Sequence, residues 1–121
     1  MDDRFKLSEK LYRAVYPPEK MSMFWRRDGS LSSAAFADPK GLSVDRGDHR
    51  PDMEVVCDMR KKFSGRIIYL YVKHCLATGA IVRYFPSGKN PYHSEIHGSE
   101  TAVLLSKSQR LALSKRAVVI A

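Results

Sequence analysis

"RIIYLYVK", residues 66–73, decides the fold. Ile67, Tyr69 and Tyr71 alternate with Ile68, Leu70 and Val72, so an extended chain here is apolar on both faces. Such a run reads as a strand near the middle of a sheet. Other segments gather around it. Ile81 to Phe85 reads as a second strand, closed by Pro86-Ser87-Gly88, and Tyr92 to His97 as a third, after the turn at Asn90-Pro91. Lys10 to Tyr16 alternates as a strand, although it could also end a helix begun at Ser8; Pro17-Pro18 would stop either. Leu42-Ser43-Val44-Asp45 is a short strand with Leu42 and Val44 facing the core. Ala117 to Ile120 can close the chain as a last strand.

Two stretches carry helical signals. Pro51 sits where a first helical residue is welcome, with Asp48 upstream as a candidate cap. Met53, Val56, Cys57 and Arg60, continued by Phe63, recur at helical spacing and define an expected apolar face. Asp52 and Glu54 near the start and Arg60-Lys61-Lys62 near the end suit the helix dipole, and Ser64-Gly65 ends the helix. Ser106-Lys107-Ser108-Gln109 has the form of a capping box and opens a second helix through about Arg116. Ser30 to Phe36 is rich in small residues, suited to close backbone approach or a short helical turn. The expected fold is α+β: one domain, residues 1–121, with a small mixed β-sheet and two amphipathic helices packed on it.

The composition, 44% hydrophobic and 28% charged, is that of a globular chain. No apolar run approaches a transmembrane length, and the opening Met1-Asp2-Asp3-Arg4-Phe5-Lys6 has no apolar leader. Cys57 and Cys75 lack metal-ligand spacing and read as reduced thiols of a cytoplasmic protein. The net charge of +8 raises the local concentration of polyanions, so a nucleic acid or a nucleotide is the expected partner. Arg26, Arg27, Arg46, Arg60, Lys61, Lys62, Arg66 and Arg110 are the candidate anion-binding cations. Arg60, Lys61, Lys62 and Arg66 form one basic surface with Lys107, Arg110, Lys115 and Arg116 of the tail helix if the two helices share a sheet face. Trp25, beside Arg26-Arg27, is either a base-stacking platform or a core anchor.

"NPYHSEIHG", residues 90–98, carries the candidate chemistry. In an extended chain His93, Glu95 and His97 project to one side, about 7 Å apart. Metal ligands must converge on a point. Same-face neighbours on one strand diverge, so further ligands would have to come from His49, His74 or Asp45, and the pattern points to no metal and no cofactor. Acid–base work asks less, because a glutamate beside a histidine orients it. The alternative is a strand with Ile96 inward and its polar residues in water. Arg13, within an apolar strand pattern, either extends to solvent or waits in a cleft for a phosphate or carboxylate. Asp45 to Arg50 is a dense polar loop that could wall such a cleft. Ser32-Ser33 has no nucleophile-elbow context.

Two resemblances bear on function. "KLYRAV", "SSAAF", "GLSVDR" and "NPYHSEIHG" together resemble a group of short prokaryotic proteins of no established activity, which implies a bacterial or phage-type cytoplasmic protein. "LYRAV" also resembles the first strand of RES-domain proteins, NAD-degrading toxins related to ADP-ribosyltransferases. That resemblance implies Arg13 in a nucleotide pocket, with Glu95 as a loose match for the later glutamate. It departs from the family at Trp25-Arg26-Arg27-Asp28-Gly29, where an Arg-Trp-Asn-x-x-Gly stretch is expected. The two functional expectations are therefore a polyanion-binding module and, as the alternative, a small NAD- or nucleotide-processing enzyme in which His93, Glu95 and Arg13 are catalytic.

Overall fold

A computed structural model describes residues 1–121. The apolar run at 66–73 supplies strand β3, Arg66–Tyr71, and turns at its end into a short helix. The other strands are β1 (Lys10–Val15), β2 (Leu42–Arg46), β4 (Ile81–Tyr84), β5 (His93–His97) and β6 (Val118–Val119). They form one six-stranded sheet in the order β4-β5-β2-β1-β3-β6. Every neighbouring pair is antiparallel. Helices α1 (Asp52–Arg60) and α3 (Lys107–Arg116) are the two expected from sequence, and a third, α2 (Val72–Ala77), follows β3 directly. The fold is α+β.

β3 packs on both faces, one with Ile68 and Leu70 buried and the other, with Ile67 buried and Tyr69 and Tyr71 half-buried, less completely. Ile68 and Leu70 join Leu11, Val15, Leu42, Val44 and Ile96 in the main core. Cys75 of α2, Leu113 of α3 and Phe36, from the 3-10 turn Ser33–Phe36, close that core from above. Ile67 points the other way, into a smaller cluster with Tyr12 of β1 and Val55 and Met59 of α1. The two longer helices thus lie on opposite faces of the sheet, and their basic residues do not merge into one surface. Trp25 belongs to the main core, with Nε1 donating to Tyr16 O at 2.8 Å. It is an anchor there, while Arg26 and Arg27 beside it are exposed. No helix is long and apolar enough to cross a membrane.

Helix α1 buries a different face from the one its spacing offered. Met53 is 76% exposed and Phe63 43%, and Cys57 is exposed too. Val55 and Met59 are the buried pair. Asp52 precedes them by one and two helical turns, and it is tied to the sheet by Lys10 Nζ at 3.0 Å and by the Tyr12 hydroxyl. Those polar bonds fix the rotation of the helix, which the apolar spacing alone left open. Asp48 does not cap α1. It and His49 instead adopt left-handed backbone, with φ of 49° and 67°.

Arg46, expected among the anion-binding cations, is a structural residue. Its side chain is 2% exposed. Nε and Nη2 donate to the two Glu9 carboxylate oxygens at 2.8 and 2.9 Å, and Nη1 and Nη2 reach the carbonyls of Asp2 and Arg4. The guanidinium also lies 4.2 Å from the Phe5 ring centroid and 4.9 Å from that of Tyr84. With four of its five N–H groups bonded within the protein and water excluded, it offers an external anion little. Removing one partner strands a buried charge. Glu9→Ala is expected to cost about 3–5 kcal/mol of stability in denaturant titration, far more than an exposed ion pair such as Arg83–Glu100 would.

Candidate functional site

β2 pairs with β5 from Leu42 to Asp45 but with β1 at only two positions, Leu11–Arg46 and Tyr12–Asp45. Beyond Tyr12 the β1–β2 ladder opens, and the Arg13 side chain enters the opening. Its Nη1 donates to the carbonyl of Ser43 at 2.8 Å. Its Nε is buried and has no hydrogen-bond partner. Burial pulls the guanidinium below its ordinary pKa, with the Asp38 carboxylate opposing. A cation so placed is short of acceptors, which is how an arginine stands ready for a phosphate or carboxylate.

The opening is a cleft of about 120 Å³ whose walls include Arg13, Ser43, Asp45, Phe63, Asn90 and His93. It adjoins two others. One, of about 340 Å³, shares Phe63 with it and is also lined by Tyr16 and Lys62. The other, of about 170 Å³, shares Asp45 and Asn90 and reaches Lys61 and Lys62. Together they make a groove around Lys62 and Phe63, between the C-terminal end of α1 and the open side of β1 and β2. Asp45 at its floor is 8% exposed, accepting from Asn90 Nδ2 at 2.8 Å.

β5 is extended, and the strand register puts His93, Glu95 and His97 on one face, with Ser94 and Ile96 fully buried on the other. The three do not act as one group. His97 Nε2 donates to Glu95 Oε1 at 2.8 Å, and that pair packs on Gly41. A side chain at Gly41 would collide with Glu95 Oε1 and come 3.1 Å from His97 Nε2. Glu95 therefore turns away from the cleft that holds Arg13 and His93. His93 is oriented separately, with Nδ1 3.0 Å from Phe85 O and Nε2 3.4 Å from Ser43 Oγ. No three histidine, cysteine or acidic side chains converge as a metal's ligands would.

The remaining cations are dispersed. Arg60 Nη1 bonds Gly65 O, Arg66 Nε donates to Ala121 O at 2.9 Å, and Arg110 Nη1 donates to Leu105 O at 2.9 Å. Lys61 and Lys62 line the groove. The loop from Gly47 to Arg50 walls a separate cleft of about 220 Å³ with Lys6, Lys10, Tyr12 and Asp52. There the hydrogen bond from Tyr12 holds the Asp52 carboxyl below the usual range, against burial and with help from Lys10. Tyr12 itself is pushed well above the ordinary phenol value, by burial first and then by Asp52.

Sequence reasoning did not single out Ser43. The alternation in Leu42-Ser43-Val44-Asp45 turned it outward, but only the pairing of β2 with β5 brings it to His93. Comparison with protein-family models, with curated proteins and with solved structures found no match.

Two outcomes follow. Gly41 has φ of +106°, so Gly41→Ala adds strain to the collision with Glu95. It should lose roughly 1–3 kcal/mol in a denaturant titration. Asp52 has a folded pKa below its unfolded value of about 3.9, so its stabilisation is fully present above that pH and is lost as pH falls through the folded pKa. Asp52→Asn should accordingly be less stable than the parent at neutral pH and lose less stability on acidification below about pH 4, read by melting temperature against pH.

Proposed function

We propose that this chain is a polyanion-binding module whose ligand is a nucleotide, held in the groove around Lys62 and Phe63. The observation that carries this reading is Arg13, partly buried in the opened ladder with an unpartnered Nε, in a cleft beside Ser43 and His93. Arg13 and Lys62 would meet phosphate oxygens, and the half-exposed Phe63 ring offers a face for a base. A compact ligand fits better than an extended nucleic acid, because α1 and α3 put their basic residues on opposite faces and Arg46 is spent internally. Two free cysteines, one exposed, are in keeping with a reducing, cytoplasmic setting.

One observation favours the enzymatic alternative, an NAD- or nucleotide-processing activity of the RES and ADP-ribosyltransferase kind. Arg13, Ser43 and Glu95 stand on β1, β2 and β5, three successive neighbours in the sheet. Against it, Glu95 is bonded to His97 and does not line the cleft with Arg13.

Titration calorimetry with AMP, ADP and NAD separates these readings. The binding module predicts one nucleotide per chain, an affinity that falls with salt, and a loss of about tenfold or more in Arg13→Lys, which keeps the charge but not the guanidinium fork. No binding by any of the three rejects it. The enzyme predicts nicotinamide release from NAD that Glu95→Gln abolishes; release at an unchanged rate rejects Glu95 as its catalytic group.

A further inference from the structure

Ser43 and His93 meet across the β2–β5 pairing, on the face of the sheet that carries α1. The Asp45–His93 and Ser43–Glu95 pairs make them diagonal neighbours. Ser43 is exposed, so its hydroxyl is open to a reactant. His93 Nδ1 lies 3.0 Å from Phe85 O, and a carbonyl can only accept, so the ring proton of the neutral imidazole sits on Nδ1. The lone pair is then on Nε2, which is the nitrogen turned to Ser43 Oγ at 3.4 Å. Phe85 N in turn donates to His93 O at 3.0 Å, which holds the two backbones and the ring in register. A hydroxyl, an imidazole in the accepting tautomer and a third group that fixes that tautomer are the parts of an activated nucleophile. The hydroxyl–imidazole separation is long for a finished hydrogen bond, as catalytic hydrogen bonds often are before a substrate draws them together. Arg13 is anchored on the carbonyl of the same serine, so a cation stands beside the site of attack.

We propose that Ser43 is a nucleophile and His93 its general base, and that together they accept a phosphorus-centred group from a phosphoanhydride. Ser43 Oγ forms a bond to phosphorus. The bond from phosphorus to the bridging oxygen breaks, and the leaving phosphate keeps the electron pair. The serine proton passes to His93 Nε2 and then to the leaving oxygen. Charge gathering on the phosphoryl oxygens faces Arg13. The choice of a nucleotide as donor rests on the proposed function above; the hydroxyl–imidazole pair does not.

The test uses diisopropyl fluorophosphate, a small electrophile that needs no nucleotide site. Ser43 Oγ would bond to phosphorus and fluoride would leave. Intact-mass measurement and peptide mapping should find one adduct per chain, on Ser43, and none there in Ser43→Ala. His93→Gln should slow labelling on the order of 100-fold. For the unaltered chain, labelling should be slower in deuterium oxide than in water, a readout that no folding defect of a variant can obscure. Absence of an adduct on Ser43, labelling of His93→Gln at the parent rate, or equal rates in the two solvents would each overturn the proposal. Labelling without nucleotide binding removes only the nucleotide reading, and nucleotide binding without labelling removes only this one.

Discussion

A buried guanidinium clamps the two halves of the sheet together. β1, β3 and β6 form one half and β2, β5 and β4 the other, and the ladder between them has two residue pairs. Arg46 ends β2 at that junction. It crosses to Glu9, just before β1, and gathers the N-terminal carbonyls of Asp2 and Arg4. An isolated ion of this kind is costly to bury, and the cost is offset only because nearly every donor has a partner. With the halves clamped at this end, the other end of the ladder is free to open, and Arg13 occupies the opening.

That opening gathers scattered polar residues into the candidate site. A continuous β1–β2 ladder would have filled the space with backbone hydrogen bonds and left Ser43 and His93 on a flat face. Instead Arg13 takes the Ser43 carbonyl, and the C-terminal end of α1 closes the groove from the side. The rotation of α1 matters here. Because Lys10 and Tyr12 hold Asp52, Val55 and Met59 go inward and Phe63 is left at the rim.

The segment ending at Gly98 divides into one pair and a separate histidine. His97 and Glu95 are bound to each other and seated on Gly41, where only a glycine leaves room for the carboxylate. His93 belongs to Phe85 and Ser43. Alternation along a strand says which side chains share a face, and it is silent on which of them touch. The row of imidazoles and carboxylate was therefore visible in the residues, while the separation of His93 from the Glu95–His97 pair was not.

By itself the sequence determined the class of fold and most of its elements. The doubly apolar 66–73 segment, the alternation of 93–97 and the capping box at Ser106 are local signals, and local backbone geometry answers to them directly. It also determined that Ser43 points away from Leu42 and Val44. Tertiary structure alone decided the rest. The antiparallel order of strands and the placing of α1 and α3 on opposite faces are tertiary, and the burial of Arg46 and the meeting of Ser43 with His93 join residues 37 and 50 positions apart. Nothing in the spacing along a chain encodes such contacts, because they depend on which strands pair and at what register.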